Sequence, residues 1–414
     1  MLRMLCLALL MACCASASHA RTVTLATWNL GWHMDLQTVQ KWIGECGKSY
    51  IEDPATGTWS QSSAPGSKPG WDVSDTFSIQ GWDTANLPVC GVYFDRAAVH
   101  VTLDAYKKRQ QQIATFIRKS VPADIIAFQE VSGVEAVKEI LPDGGIDYEL
   151  CGLSDPDKYK VQRLVIAWKK AIGTQVDCST ERDLSLPANP VEKQPRPGLA
   201  VTIKVGGTEL RILNVHLKSS CVSPFDGGKL EGNKSDCQIL QQQLTPIENW
   251  IEAQATADVK FVLMGDFNRN LSHELRDQSP VRTDLSDPSG PRPANALSRS
   301  LIEELADGVP ASTALTVLDE ECDTSAIGQL LCLMSEQRPL TSPERSLLAS
   351  REYLGCRNPV GLDHIVVGPG VKVDDPAKHT SIGIFGGTRS GDDSGQGQIL
   401  AISDHCPLSA KLEL

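Results

Sequence analysis

The chain has 414 residues, with 51 acidic against 39 basic side chains and a formal net charge of −12. Its 41% hydrophobic and 22% charged residues are ordinary for a globular protein and exclude a collagen-like, coiled-coil or wholly disordered chain. The acidic balance argues against non-specific coating of nucleic acid, which needs clustered Lys and Arg. It does not exclude local capture of a phosphate through a bound cation, which reverses the local field.

The first twenty residues read as a leader. Arg3 precedes an apolar run from Met4 to Cys14, and Ser18-His19-Ala20 supplies a small-x-small ending, so a secretory signal peptide is expected over 1–20, cut before Arg21. The run is too short for a bilayer-spanning helix, which needs about 20 residues. A lipobox-like reading of Leu10-Met11-Ala12-Cys13 ranks second, and a buried N-terminal helix third. The expected location is secreted or periplasmic, with no stable membrane insertion. Ten of the 13 cysteines follow the leader, an even number that suggests disulfides in an exported protein. Cys46 with Cys90 and Cys221 with Cys237 are plausible pairs, although sequence cannot fix connectivity.

Beyond the leader, Thr22–Trp28 is rich in β-branched residues and predicts a strand ending at Asn29-Leu30-Gly31. Residues 44–98 are rich in Gly, Pro, Ser and Trp with little periodicity, and are expected to be a long surface insertion. Tyr106, Ile113, Phe116 and Ile117 mark an amphipathic helix over 104–120. Further strands are expected at 124–128, 163–168, 199–205, 209–217, 259–264 and 362–367, with a weak one at 382–385 and a helix at 238–254. Gly206-Gly207 would turn a hairpin between 199–205 and 209–217. Residues of about 270–357 look like a second insertion in a single domain over 21–414. Strands alternating with helices predict a mixed α/β sheet protein.

Polar clusters sit where these strands end: Asn29 in TWNLGW, Glu130 in FQE, Asn214 and His216 in LNVHLKS, Asp266 and Asn268 in MGDFNRN, Asp363-His364 in GLDH, and Asp404-His405 in SDHCP. Taken singly each is weak. A lone Asp after a strand is more often a turn residue or helix cap than a ligand, and a lone His is often a satisfied core residue. As an ordered set they supply oxygen ligands for a hard cation, imidazoles, and amides that can donate to phosphate. Those are the parts of metal-assisted displacement at phosphorus.

The series WN, QE, NxHLKS, GDFN, LDH and SDHCP resembles the endonuclease/exonuclease/phosphatase superfamily, from Asn29 to His405 and so over nearly the whole mature chain. The resemblance implies a four-layer α/β sandwich of two mixed β-sheets flanked by helices. It implies Mg²⁺, with Mn²⁺ or Ca²⁺ as alternatives, in the shell of Glu130, Asn29 and Asp404. It assigns Asp266 to the attacking water, Asn268 to the phosphate or metal shell, and His405, oriented by Asp363, to the phosphoryl oxygens. His216 matches a second histidine of deoxyribonuclease-like members, and Asn214 lies in the matching neighbourhood. His364 would point to the other face of its strand and reads as structural.

The implied activity is hydrolysis of a phosphodiester, with nucleic acid as the first expected substrate and no protein partner evident. The chain lacks a basic stripe; Lys107-Lys108-Arg109 and Lys169-Lys170 are short and read as solvated faces. The alternatives are a sphingomyelinase-like phospholipase or phosphatase, and a catalytically silent binding protein. A lipid-facing enzyme would want exposed aromatics, for which Trp59, Trp71 and Trp82 are candidates beside a plain packing role. Asn233-Lys234-Ser235 and Asn270-Leu271-Ser272 are sequons that matter only in a eukaryotic secretory pathway.

Overall fold

Alternation along the first strand organises the molecule. In β1 (Thr22–His33), Val23 and Leu25 face one side while Ala26 and Trp28 face the other, and all four are buried. A strand covered on both faces must lie in the middle of a layered structure. The computed structural model describes residues 21–91, 100–153, 160–219, 235–269, 271, 301–306, 314–318, 342–343, 362–382 and 400–414. The leader, most of 270–357, Cys221 and residues 383–385 lie outside these.

Chain order continues with α1 (Leu36–Gly47), β2 (Ser49–Glu52), β3 (Trp59–Gln61), β4 (Lys68–Pro69), α2 (Leu103–Ser120), β5 (Ile125–Val131), α3 (Val134–Ile140), β6 (Tyr148–Gly152), β7 (Arg163–Lys169) and β8 (Gly173–Glu181). Then come β9 (Gly198–Val205), β10 (Thr208–His216), α4 (Ser235–Thr256), β11 (Lys260–Asp266), α5 (Leu301–Leu305), β12 (Thr316–Val317), β13 (Asp363–Val367), β14 (Lys372–His379) and β15 (Leu408–Glu413). Six strands form one sheet, in the order β14-β15-β1-β5-β7-β6, and six form another, β12-β13-β11-β10-β9-β8. Each is mixed: β1 runs parallel to β5 and β10 parallel to β11, within otherwise antiparallel ladders.

The sheets pack face to face. Leu25, Ile125 and Ile166 of the first meet Val201, Ile212, Val262 and Met264 of the second in one continuous apolar layer. On its far side the first sheet sets Trp28, Ile126 and Phe128 against Ile113, Phe116 and Ile117 of α2 and Val137 and Ile140 of α3. The second sets Leu213, Val215, Leu263 and Phe267 against Leu240, Leu244 and Ile247 of α4 and Leu301 and Leu305 of α5. The result is a four-layer α/β sandwich of two mixed β-sheets flanked by helices. Cys151 of β6 and Cys178 of β8 are joined by a disulfide that ties the two sheets at one edge.

Three sequence expectations change. Residues 44–98 are more than a surface loop. Helix α1, capped by the Asp35 side chain, leads into a small β3-β2-β4 sheet, and Trp42, Cys46, Tyr50, Trp59, Trp71, Leu87 and Cys90 are buried. A disulfide from Cys46 to Cys90 closes this region, which is why it holds a core without a hydrophobic period. Trp59 and Trp71 therefore pack, and Trp82 lies against the same core. A strand not expected from the sequence, Lys372–His379, precedes the C-terminal motif; the one expected at 382–385 lies, except for the buried Ile382, outside the described residues. Arg109 is the third, buried at 1% exposure rather than on a solvated face.

Candidate active site

The site forms where both sheets end on the same side. Across β10, β11 and β13, His216 pairs in register with Asp266, and Asp266 with Asp363, so three polar groups stand in a row. In the first sheet Asn29 pairs with Gln129, and then the ladders of β1 with β5 and of β5 with β7 both shift register. Inside this double irregularity Trp32 has φ +60° and Glu130 φ +54°. Left-handed backbone at non-glycine residues is costly, and such strain collects where side chains must be re-aimed for function. Asn268, just past β11, has φ +53° as well.

Asp266 Oδ2 is the junction. It accepts a hydrogen bond from Asn29 Nδ2 at 2.9 Å, and lies 3.5 Å from His216 Nε2 and 4.0 Å from His405 Nε2. Asp266 Oδ1 accepts from the Asn268 backbone N–H at 2.8 Å, and Asn268 Nδ2 donates to the Leu217 carbonyl. On the other side His405 Nδ1 meets Asp363 Oδ2 at 2.7 Å. Gly265 leads into this centre at φ +140°, where a Cβ would fall 2.0 Å from the Val215 carbonyl oxygen, so β10 and β11 close up only around glycine.

Glu130 Oε2 accepts from the Trp32 backbone N–H at 3.1 Å, and its Oε1 lies 3.6 Å from His216 Nε2. Asp404 approaches from the C-terminal segment: a Cβ on Gly31 would stand 2.8 Å from its Oδ1. Asn29, Glu130, His216, Asp266, Asn268, Asp363, Asp404 and His405 thus converge on one place. Asn214 belongs below it. Its Oδ1 accepts from Gln129 Nε2 at 2.8 Å and its Nδ2 donates to the Phe128 carbonyl, a polar bridge between the sheets. His364 faces away, stacked edge-on against Phe267 with Nε2 2.6 Å from the Arg269 carbonyl.

Burial dominates the electrostatics. Loss of hydration pushes Glu130 up to about 7; Arg196 opposes this, and the charges of Asp404 and Asp266 add to it. Burial also raises Asp266, to about 6, with His405 opposing and Asp363 reinforcing. His216 is driven well below its ordinary value by burial, then by Arg196 and His405. Burial opposes charging His405 too, but the charge and hydrogen bond of Asp363, with Asp404 and Asp266 behind it, carry it well above the usual value.

Arg196 was not singled out by the sequence. Its Nη2 donates to Gln162 Oε1 at 3.0 Å and its Nη1 reaches the His216 carbonyl at 3.5 Å, which sets a cation beside Glu130 and His216. A signal existed. The β9–β10 ladder pairs Leu199 with Asn214, so counting back from the Gly206-Gly207 turn puts Pro197 level with His216 and Arg196 next to it.

Asp266, Asp363 and His405 each offer one ligand-type atom within 4.8 Å of one another. Of these, Asp363 Oδ2 and His405 Nδ1 are paired with each other, while Asp363 Oδ1 is buried without a hydrogen-bond partner; the Glu130–Asp404 side offers a second set of oxygen donors. There the mutually repelling, half-buried carboxylates want positive charge, and oxygen donors suit a hard ion.

The endonuclease/exonuclease/phosphatase family model matches residues 84–405, from before α2 through His405 but beginning after Asn29. The chain belongs to the endonuclease/exonuclease/phosphatase family, and with it to the phosphoesterases. No curated protein matches it in sequence. Solved structures similar to it include a family protein from Bacteroides thetaiotaomicron, at 13% identity and TM-score 0.45 over 96% of this chain and 99% of that one. Another is a humanized D. rerio TDP2, at 12% and 0.41 over 95% and 99%. A third is a Bacteroides thetaiotaomicron mannosyl-6-phosphatase, at 16% and 0.40 over 74% and 90%.

Proposed function

We propose that this chain is an exported, metal-dependent phosphodiesterase that hydrolyses nucleic acid, with Mg²⁺ as the cation. The observation that carries the reading is the junction at Asp266 Oδ2, where Asn29, His216 and His405 converge from both sheets. A turn or cap aspartate would not gather an amide and two imidazoles from segments so distant in sequence.

Asp266, oriented by Asn29 and by the Asn268 backbone, accepts the proton of the attacking water. His405 presents Nε2–H to a non-bridging phosphoryl oxygen, and Asp363 fixes its tautomer through Nδ1. Neutral His216 lies in the same pocket, its Nε2 3.6 Å from Glu130 Oε1 and 3.5 Å from Asp266 Oδ2, and Asn268 stands at its rim. Glu130 and Asp404, with the Asn29 amide beside them, would hold Mg²⁺; Mn²⁺ and Ca²⁺ are the alternatives. The bound cation supplies positive charge to the oxygens of an anionic ester, where charge accumulates during attack. Arg196 adds a fixed positive charge on the same side.

The disulfides Cys46–Cys90 and Cys151–Cys178 support an oxidising destination and so the leader over 1–20. Among the described residues no helix is long and apolar enough to cross a membrane. Burial of Trp59 and Trp71 removes part of the aromatic surface that a lipid-facing enzyme would use.

The test is nicking of supercoiled plasmid by protein beginning at Arg21, with Mg²⁺ or with EDTA, beside Asp266→Ala. Nicking that requires Mg²⁺ and vanishes in the variant supports the reading. Intact plasmid with a folded protein sinks DNA cleavage and moves the assay to RNA, sphingomyelin and small phosphate esters. Cleavage by Asp266→Ala overturns the role given to Asp266.

A further inference from the structure

Residues 400–404 carry Asp404 and lead directly into His405, yet belong to no strand. Nothing in the ladder of either sheet fixes them. The carbonyls of Ala401 and Ile402 are nevertheless buried, and a buried carbonyl needs a donor. That donor is Arg109, on the inner face of α2. Its Nε donates to Ala401 O at 2.7 Å; its Nη2 donates to Ile402 O at 2.7 Å and to Leu30 O at 2.8 Å. Its Nη1 donates to His33 Nδ1 at 2.7 Å.

One guanidinium thus joins the last turns of β1, next to Asn29, to the segment that delivers Asp404 and His405. The planar fork matters. Several carbonyls converge on fixed N–H directions, which the single rotating ammonium of lysine cannot satisfy together. A second tie lies further along: Ser403 Oγ donates to the Asn29 carbonyl at 2.6 Å and accepts from the His405 backbone N–H at 2.9 Å. Trp28 Nε1 holds the His405 carbonyl at 3.0 Å.

We infer that Arg109 is a positioning residue for the proposed hydrolysis, setting the place of His405 and Asp404 against β1 through the carbonyls of Leu30, Ala401 and Ile402. It touches no reacting atom, and the inference rests on the phosphodiesterase reading for its kinetic arm only.

Arg109→Lys and Arg109→Gln test it, with Lys107→Ala, exposed on the same helix, as control. Displacement of a catalytic group by about 1 Å costs roughly 10²-fold in rate, so kcat is expected to fall about that much in both Arg109 variants. KM should stay within about threefold, since substrate capture is left in place. Hydrogen–deuterium exchange should quicken over 400–406 and leave β15, immediately after it, unchanged. Lys107→Ala should match wild type throughout. The inference is overturned by an Arg109→Lys enzyme with wild-type kcat. It is equally overturned if activity only tracks the folded fraction while exchange rises everywhere, since Arg109 would then be plain packing. Should the wild-type chain hydrolyse no phosphoester, the functional reading falls, and the exchange comparison still decides what Arg109 holds.

Discussion

His405 Nδ1 lies 2.7 Å from Asp363 Oδ2, and both side chains are almost wholly buried although 42 residues separate them. The bond leaves Nε2 turned toward Asp266, the direction a substrate phosphate would occupy. Asp363→Asn keeps the shape and removes the charge that holds His405 protonated. If His405 works as proposed, kcat should drop by about 10²–10⁴-fold, the range for loss of a positioned proton-transfer group. Nitrogen chemical shifts of the His405 ring should also show its pKa falling toward the ordinary value. Unchanged kcat with a lowered pKa would remove His405 from the chemistry.

Gly31 offers a sharper test of Asp404. With φ +54° and a notional Cβ 2.8 Å from Asp404 Oδ1, Gly31→Ala must strain the backbone and push the carboxylate aside. Disturbing the shell of a metal costs about 10–100-fold in affinity, and the Mg²⁺ concentration giving half-maximal activity should rise by that order. Saturating Mg²⁺ should restore most of the rate. A normal Mg²⁺ requirement would take Asp404 out of the cation shell.

The strands that carry the site were legible because each is a buried run with polar residues at one end: β1, β5, β10 and β11 run into theirs, while β13 opens on Asp363-His364 before Ile365-Val366-Val367. What the sequence concealed has physical reasons. Strand β8, GTQVDCSTE, is a largely exposed edge with no alternation, and β14, KVDDPAKH, is charged and contains proline, so neither announces itself. Strand β15, LSAKLE, does alternate, and its period of two was available. Residues 44–98 lack periodicity because scattered tryptophans and a disulfide make their core. Arg109 sits in a run of three cations, and composition cannot tell which one turns inward. The strain at Trp32 and Glu130 depends on two strands bulging together, which no local pattern records.

The Cys151–Cys178 disulfide joins an edge strand of one sheet to an edge strand of the other, across a sequence separation of 27. Its removal frees the unfolded chain of a loop constraint and should cost about 3.6 kcal/mol, by the loop-entropy scale for a 27-residue separation. Paired Cys151→Ala and Cys178→Ala substitutions, read by urea unfolding, are the measurement. A midpoint shift much smaller than this would mean that the apolar layer alone holds the two edges together.

His33 gives the fold a pH dependence of its own. Burial, and then the neighbouring Arg109 charge, hold its pKa well below the ordinary 6.5, with the Ala136 carbonyl acting weakly the other way. Its Nδ1 accepts from Arg109, so the ring is neutral and carries its proton on Nε2, facing that carbonyl. The unfolded chain takes up a proton near pH 6.5 that the folded chain refuses. Stability contributed by this site is therefore present above about pH 6.5 and is lost as pH falls from there toward the folded pKa, at up to roughly 1.4 kcal/mol per pH unit. His216 is shifted in the same direction and adds to the slope. Glu130 and Asp266, raised by burial, slope the other way, so the test is a difference: in EDTA the urea midpoint of wild type relative to His33→Gln, whose amide has no proton to gain, should fall as pH drops below about 6.5. Parallel slopes for the two proteins would show that His33 is not held neutral, and that the Arg109–His33 bond is weaker than its 2.7 Å distance implies.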